Sequence, residues 1–251
     1  MKMKFGLIGN GNISNYHKFA IKEIGGVIHK IHDPFNPPQS GSDQLDESFF
    51  DDIDVVTICS PSHLHREHIK LALKHDKKII VEKPMVLPWE LLIDDDRVNI
   101  VLQLRWLDLP EKADLIQVTF VRNIEYFKSW KGDPKKTGGL FYNLFIHYID
   151  LSIQLDARFE GIVLPTGEQI RKVDSIDILN INMDELYVRM YDSIVTDDSG
   201  VKPKDLFFLH WMLNRHSEEY GFGADAMNKK IEIKELGGVD VTHSSDEFYR
   251  R

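Results

Sequence analysis

The sequence predicts an α/β protein: a doubly wound parallel sheet followed by an α+β unit with a mostly antiparallel, open sheet. Three observations predict this. Over the first 105 residues or so, short β-branched apolar runs alternate with stretches of helical period, the pattern of strands joined by crossover helices. A glycine-rich turn, Gly9-Asn-Gly-Asn-Ile-Ser14, separates the first run from the first helix. Beyond Arg105 the pattern changes to period-two strands such as Leu115 to Val121 around one strongly apolar helix. The expected units are therefore 1–105 and 106–251.

Taken in order, Phe5 to Ile8 is a strand ending at Gly9, and a helix runs from about Ile13 to Ile24, stopped by Gly25-Gly26. Val27 to His32 reads as a second strand ending at Asp33, followed by a loop rich in Pro, Gly and Ser to Asp43. Val55 to Cys59 is a β-branched strand closed by Ser60-Pro61, and His63 to His75 has helical period. Lys78 to Val81 is a strand closed by Glu82-Lys83-Pro84; a brief helix near Trp89 to Ile93 leads to a strand-like Val98 to Leu104. In the second unit the apolar helix is expected from about Thr137 to Leu155. Strands are expected near Phe159 to Leu164, Ile176 to Ile181 and Leu186 to Val195, and helices over Lys204 to Glu219 and Ala224 to Leu236. Thr166 to Ser175 fits no pattern, and Asp240 to Arg251 reads as a polar tail or arm.

Composition narrows the class. A net charge of -9 argues against a nucleic-acid backbone or an anionic membrane surface as the main partner. No apolar run approaches the roughly 18 residues of a membrane span. The first residues pass directly into a strand, leaving no room for a signal peptide. Cys59 is the single cysteine, so no internal disulfide forms and a cytoplasmic location is expected.

The residues that carry chemistry lie at strand ends. Gly9 allows the tight turn and Gly11 the close approach of a pyrophosphate, while Asn12 and Ile13 open a helix whose free N–H groups attract phosphate. Ser14 replaces the third glycine of the usual fingerprint. Asp33, 22 residues past Gly11, can hold a ribose 2′-hydroxyl and repels a 2′-phosphate, so the expected cofactor is NAD. Ser60, Pro61 and His65 follow the third strand at the same sheet edge, where a cofactor pocket is expected. The His63, His65 and His68 spacing lacks the remainder of a first shell, so no metal is expected. Lys83, held between a strand and a proline, projects into the crevice, where an ammonium can polarise a hydroxyl or carbonyl; the bland alternative is a surface lysine. In the apolar helix, Asn143, His147 and Asp150 are spaced i, i+4, i+7 on one face. Buried polar groups there cost roughly 1–3 kcal/mol each unless paired, which makes His147 a candidate general base rather than merely a satisfied core histidine. Trp130-Lys131-Gly132-Asp133 offers a flat ring and a cation suited to a sugar and its phosphates, unless it is simply an exposed loop.

Together these motifs resemble the Gfo/Idh/MocA family of NAD(P)-dependent sugar oxidoreductases: Gly9-x-Gly11-x-Ile13-Ser14, Ser60-Pro61-x-x-x-His65, Glu82-Lys83-Pro84, and Gly138-Gly139 with His147 and Asp150. Gln103-Leu-Arg105, Ser129 to Asp133, Asn143 and Gly221-Phe-Gly223 resemble the branch of UDP-sugar 3-dehydrogenases, which oxidise the carbon 3 hydroxyl of UDP-N-acetylglucosamine or its uronic acid in nucleotide-sugar biosynthesis for surface polysaccharide. The resemblance implies a Rossmann domain and a second α/β domain whose open sheet packs in a homodimer or homotetramer. It implies Glu82 near the nicotinamide ribose, and Lys83, Asn143 and His147 around the reacting carbon. Arg105, Trp130, Lys131 and Asn143 are the expected substrate contacts. Which of Lys83 and His147 is the base stays open at this point. The chain is shorter than such relatives: the helix between Pro84 and Val98 is cut down and the one after Arg105 is missing. Alternatives within the same frame are a ketosugar reductase, a sugar or cyclitol dehydrogenase, or a non-catalytic NAD-binding homologue.

Overall fold

Strands β1 (Lys4–Ile8), β2 (Val27–His32), β3 (Val55–Ile58), β4 (Lys78–Val81) and β5 (Val98–Ile100) form an all-parallel sheet in the order β2-β1-β3-β4-β5. They do so in a computed structural model that describes residues 2–36, 45–220 and 231–233. The central strands β3 and β4 are near-continuous apolar runs because both their faces are covered, whereas the edge strand β2 carries His29, Lys30 and His32. Phe5, Leu7, Val55 and Ile80 point to one layer, where helix α1 (Ser14–Glu23) contributes Ala20 and Ile21. Ile8, Val56, Ile58, Ile79 and Val81 point to the other, where α2 (His65–Lys74) contributes Ile69 and Ala72.

The second sheet runs β10-β7-β6-β8-β9, with β6 (Leu115–Val121), β7 (Arg158–Leu164), β8 (Ile170–Val173), β9 (Ile176–Asp177) and β10 (Ile231–Ile233). Only the β6–β7 pair is parallel. Thr166 to Ser175, unplaced from sequence, contains β8, paired antiparallel to β6. The inner face carries Ile116, Val118, Phe120, Phe159 and Val173 in one core with both the first sheet and the apolar helix.

Several expectations change. The helix expected near Trp89 to Ile93 is irregular chain, and the strand from Val98 ends at Ile100, followed by a 3₁₀ turn at Gln103–Trp106. The helix expected from Thr137 to Leu155 is interrupted. Helix α3 (Ile124–Lys128) and α4 (Pro134–Thr137) come first, Gly138 ends α4 with φ +77°, a π turn spans Phe141–Phe145, and α5 (Ile146–Gln154) follows. The strand expected from Leu186 to Val195 is helix α6 (Met183–Asp192), N-capped by Asn182. Its aromatic and β-branched content favours a strand, but Tyr187, Met190, Tyr191 and Ile194 repeat at i, i+3, i+4 and i+7, and all are at most 1% exposed. That stripe packs on Phe5, Leu7, Ala20 and Ile21, so α6 completes the first sheet's layer. Ile100 N–H then bonds Val201 C=O at 2.9 Å. A boundary at residue 105 thus divides the sheets, while the segment from α6 to Val201 returns to the first unit. Helix α7 (Phe207–Tyr220) follows a 3₁₀ turn at Pro203–Leu206. Of the helix expected over Ala224 to Leu236, the described residues 231–233 are strand β10; the rest, with Gly221 to Gly223 and the tail, lies outside the described residues. Among the described residues no helix is long and apolar enough to cross a membrane.

Candidate active site

The strand order reverses direction at β1, whose neighbours β2 and β3 lie on opposite sides, and the carboxyl ends of β1 and β3 open a crevice there. Gly9 sits at its floor with φ +102°, and a Cβ on it would lie 2.6 Å from the Cys59 carbonyl carbon. Glycine is therefore required at that position. Gly11 instead faces open space. Hydrogen bonds of the turn begin at Ser14 N–H, which donates to Gly11 C=O at 3.1 Å; among the described residues the N–H groups of Gly11, Asn12 and Ile13 meet no main-chain acceptor. Helix α1 has no side-chain cap. An uncapped helix start with free amides and empty space above Gly11 fits a pyrophosphate. Ser14, fully buried, donates its hydroxyl to Gly11 C=O at 2.7 Å, so it stiffens the turn where a third glycine would only make room.

Asp33 accepts three main-chain N–H groups: Asn10 on Oδ2 (2.7 Å), and Phe35 and Asn36 on Oδ1 (2.9 Å each). Burial alone would raise its pKa, but these bonds outweigh it and hold the carboxyl below its usual value. The carboxylate stays ionised with lone-pair room left on Oδ2 for a ribose hydroxyl. Asn10 and Asn36 exchange side-chain-to-main-chain bonds (3.0 and 2.7 Å), and Lys18 donates to Asn10 Oδ1, contacts that motif spacing does not reveal. Asp33→Ala is expected to weaken NAD binding about 10-fold, roughly the loss of one charge-assisted bond, and to narrow the preference for NAD over NADP. Calorimetric titration with both cofactors measures it; an unchanged ratio would remove Asp33 from the ribose site.

The β3 edge is braced rather than open. The ring nitrogens of His65 lie 2.7 Å from the carbonyl oxygens of Pro84 (Nδ1) and Ser60 (Nε2), and Ser60 Oγ pairs with His68 Nδ1 at 2.9 Å. His65 was expected to touch the cofactor; with both nitrogens facing main chain, it instead ties the two crevice loops together. Pro61 C=O accepts Leu64 N–H and starts the turn into α2. Among the described residues no three His, Cys, Asp or Glu side chains gather as a metal site.

Glu82 is buried at the end of β4, where His17 Nε2–H (3.0 Å) and the Tyr187 hydroxyl (2.7 Å) both donate to Oε1. His17 Nδ1 pairs with the Tyr191 hydroxyl at 2.7 Å, which lies 3.0 Å from Thr57 Oγ1. Burial pushes the Glu82 pKa up, yet His17, the Lys83 charge and Tyr187 bring it down to about 2. Among the described residues Oε2 meets only the Lys83 N–H, at a long 3.3 Å, and keeps capacity for a ligand hydroxyl. Lys83, half-buried behind a cis Lys83–Pro84 bond, donates its ammonium to the Asn143 C=O at 2.7 Å. Packing lowers its pKa, Glu82 opposes that, and Lys131 and Arg122 add to it. Asn143 lies in the π turn, and its Nδ2 donates to the Tyr126 hydroxyl (2.6 Å) and Lys131 C=O (3.0 Å). His147, in the first turn of α5, has a buried Nδ1 with no partner among the described residues. Its pKa falls to about 3, chiefly through burial and then through the Lys83 charge. The Lys83 ammonium thus bonds the Asn143 main chain, and its charge is felt at His147.

Asp150 is not part of that cluster. Arg105 Nε and Nη2 donate to its two oxygens at 2.8 and 2.6 Å, although the sequence places it in line with His147. His147 and Asp150 both lie in the regular helix α5, three residues apart, so it is the Arg105 fork, brought by the 3₁₀ turn at Gln103–Trp106, that draws the Asp150 carboxylate away from the cluster. Arg105, expected at the substrate, gives its fork to Asp150, which is 2% exposed. Trp130 and Lys131 are exposed on a 3₁₀ turn at the rim, joined to the site through the Lys131–Asn143 bond. His17, Tyr126, Tyr187 and Tyr191 escape a sequence reading; for the α6 tyrosines the helical period is the one usable signal.

Packed histidines also make the fold acid-sensitive. Burial brings His68 and His210 to about 4, as it brings His147 to about 3. The unfolded chain takes up protons below about 6.5, so stability is complete above that pH and falls as the pH drops toward 4. The slope is up to about 4 kcal/mol per pH unit for three such groups. Urea unfolding at pH 7 and pH 5 should show this; a flat response would mean that the rings reach solvent in the folded state.

The sequence and the fold have counterparts among known proteins. Residues 3–94 match the model of the oxidoreductase family with an NAD-binding Rossmann fold (GFO_IDH_MocA), and residues 114–156 match that of its C-terminal alpha/beta domain. Together the two cover more than half of the chain. The protein belongs to the Gfo/Idh/MocA family. Among curated members it is 24% identical over 220 residues (72% of this chain) to an uncharacterized oxidoreductase of Streptococcus pneumoniae, and 21% identical over 250 residues (85%) to a scyllo-inositol 2-dehydrogenase (NADP(+)) of Bacillus subtilis. The matches cover 59% and 66% of those relatives, so this Gfo/Idh/MocA chain spans roughly three fifths to two thirds of their length. Of solved structures, the WlbA (WbpB) dehydrogenase of Thermus thermophilus, in complex with NAD and UDP-GlcNAcA, is similar with a TM-score of 0.64 and 22% identity. That similarity covers 85% of this chain and 92% of that one, and at this identity it establishes the shared fold.

Proposed function

We propose that this family member oxidises a sugar hydroxyl with NAD, and that the substrate is a UDP-N-acetylhexosamine or its uronic acid reacting at carbon 3. The observation that carries the reading is the meeting of Lys83, Asn143 and His147 at the crevice, with one buried imidazole nitrogen unpartnered. NAD, when bound, supplies the acceptor for the hydride that leaves the carbinol carbon. Gly9, Gly11 and the amides of Asn12 and Ile13 hold its pyrophosphate, Asp33 its adenosine ribose, and Glu82 the ribose beside the reacting end.

The chain's own groups handle the hydroxyl proton. Lys83 spends one N–H on Asn143 C=O and keeps two for the substrate oxygen. His147, with a pKa of about 3, stays neutral at pH 7, and placing a proton on it costs roughly 5 kcal/mol there. Lys83, lowered from 10.5 but still supported by Glu82, is the better sink once it has lost its own proton. We therefore assign the proton to Lys83 and orientation of the hydroxyl to His147, through its vacant nitrogen. Both cannot be charged together, because each cation disfavours the other. Trp130 and Lys131 at the rim suit a base ring and a phosphate, and the complex of the Thermus thermophilus relative with UDP-GlcNAcA supports that substrate class.

NADH formation should be followed with UDP-N-acetylglucosamine, its uronate, and scyllo- and myo-inositol, with UDP as competitor. Turnover of a nucleotide sugar inhibited by UDP is expected. Turnover of a cyclitol alone, untouched by UDP, would replace this reading with the cyclitol dehydrogenase to which the Bacillus subtilis relative points. NAD binding without turnover on the whole panel would indicate a non-catalytic homologue.

A further inference from the structure

We infer that Arg122 and Arg171 form an anion subsite beside the reacting hydroxyl, built to receive the carboxylate of an acidic sugar in preference to the neutral sugar. The inference rests on the proposed oxidation and names its substrate more closely. Arg171 is paired across from Val118 in β8, which puts it on the inner face of the second sheet with Val118 and Phe120, the face that packs on α5. Its guanidinium carbon lies 5.2 Å from the Phe120 ring centroid, and that of Arg122 lies 5.0 Å from the same centroid. Phe120 in turn packs against Phe145 and Tyr148, the residues flanking Ile146 and His147. Two guanidinium groups therefore lean on one ring next to the imidazole. Their charges are felt within the site: Arg171 by His147, Arg122 by Lys83, and both by Tyr148.

Beside the site these cations have no acidic partner among the described residues. The protein carries 40 acidic against 31 basic residues, so carboxylates are in excess. Yet no ion pair among the described residues includes Arg122, Lys131 or Arg171. Arg171 has a buried Nε without a partner and only a 3.5 Å contact from Nη2 to Gln169. Arg122 bonds its own neighbour's carbonyl, Val121 C=O, at 2.8 Å, bonds the Tyr126 hydroxyl and lies 5.3 Å from the Tyr126 ring centroid, so its neutral partners leave its charge uncompensated. Two cations set on one ring, with no acidic partner among the described residues, are stabilised when an anion arrives, and planar forks suit a carboxylate. A carboxylate on the sugar ring lies near the reacting carbon, where His147 is; a diphosphate is carried farther away, toward Lys131 at the rim.

The test compares kcat/KM for UDP-N-acetylglucosaminuronate and UDP-N-acetylglucosamine in wild type, Arg171→Gln, Arg122→Gln and Arg171→Lys, with UDP affinity measured in each. Wild type should prefer the acid. The preference should fall about 10- to 100-fold in the Gln variants, the loss expected of a hydrogen-bonded charge, and only partly in Arg171→Lys. Equal losses for acid and neutral sugar, or a parallel loss of UDP affinity that moves the anion to the diphosphate, would overturn the assignment. If wild type turns over neither nucleotide sugar, the proposed oxidation fails on its own. The subsite is then read by titrating the NAD-loaded protein with glucuronate and glucose: selective, Arg171-dependent binding of glucuronate supports it, and equal binding overturns it.

Discussion

Exchanging Lys83 for methionine is expected to lower kcat by about 10²- to 10⁴-fold, the usual contribution of a positioned proton-transfer group, with a far smaller change in NAD affinity. The amide turn and Asp33 proposed to hold the cofactor lie at the ends of β1 and β2, whereas the Lys83 ammonium reaches across to the π turn at Asn143. A second readout separates chemistry from folding. The Lys83 charge is the second cause, after burial, of the low His147 pKa of about 3. Removing it should raise that pKa, with burial still holding it below the ordinary 6.5, as followed by NMR of the imidazole carbons. In the wild type, turnover should rise with pH through an ionisation lying below 10.5, since Lys83 must be neutral to accept the proton and its pKa is lowered. Retained turnover in Lys83→Met, or an unmoved His147 titration, would remove Lys83 from the proton path.

Arg105→Met should cost stability rather than substrate affinity. It would strand the Asp150 carboxylate, 2% exposed and already pushed up in pKa by burial despite its guanidinium partner. Breaking a buried pair from one side typically costs about 3–5 kcal/mol, which for a chain of this size lowers Tm by roughly 6–20 °C. The pair joins α5 to the 3₁₀ turn at Gln103–Trp106 that leads out of the first sheet, so the loss loosens the seat of His147 as well. Arg105→Met combined with Asp150→Leu should recover most of the loss, because a packed apolar pair replaces a desolvated ionic one. A single variant that melts like the wild type but has a raised KM would return Arg105 to the substrate, where the motif spacing first put it.

The cofactor half of the site was legible because its rules are local. The turn at Gly9, the helix start at Asn12 and Ile13, and Asp33 at the end of β2 lie within one strand-helix-strand unit, and each needs a particular residue type for reasons of backbone geometry or charge. The catalytic half was legible in residue type but not in pairing. Asp150 follows His147 in the same helix, but its partner is Arg105, 45 residues away in sequence, which spacing along the helix does not reveal. Helix α6 was misread for a related reason: its composition favours a strand, and the stripe of Tyr187, Met190, Tyr191 and Ile194 gains its meaning from the sheet it covers.

By itself, then, the sequence determined a dinucleotide crevice at the carboxyl edge of a parallel sheet and a lysine, an asparagine and a histidine available to it. The tertiary structure decided who pairs with whom. His17 meets Glu82 across 65 residues and Tyr191 across 174, Asp150 turns to Arg105, and two arginines near Phe120 have no carboxylate partner among the described residues. Such choices depend on burial and on the charges that neighbouring elements bring, which no local spacing encodes.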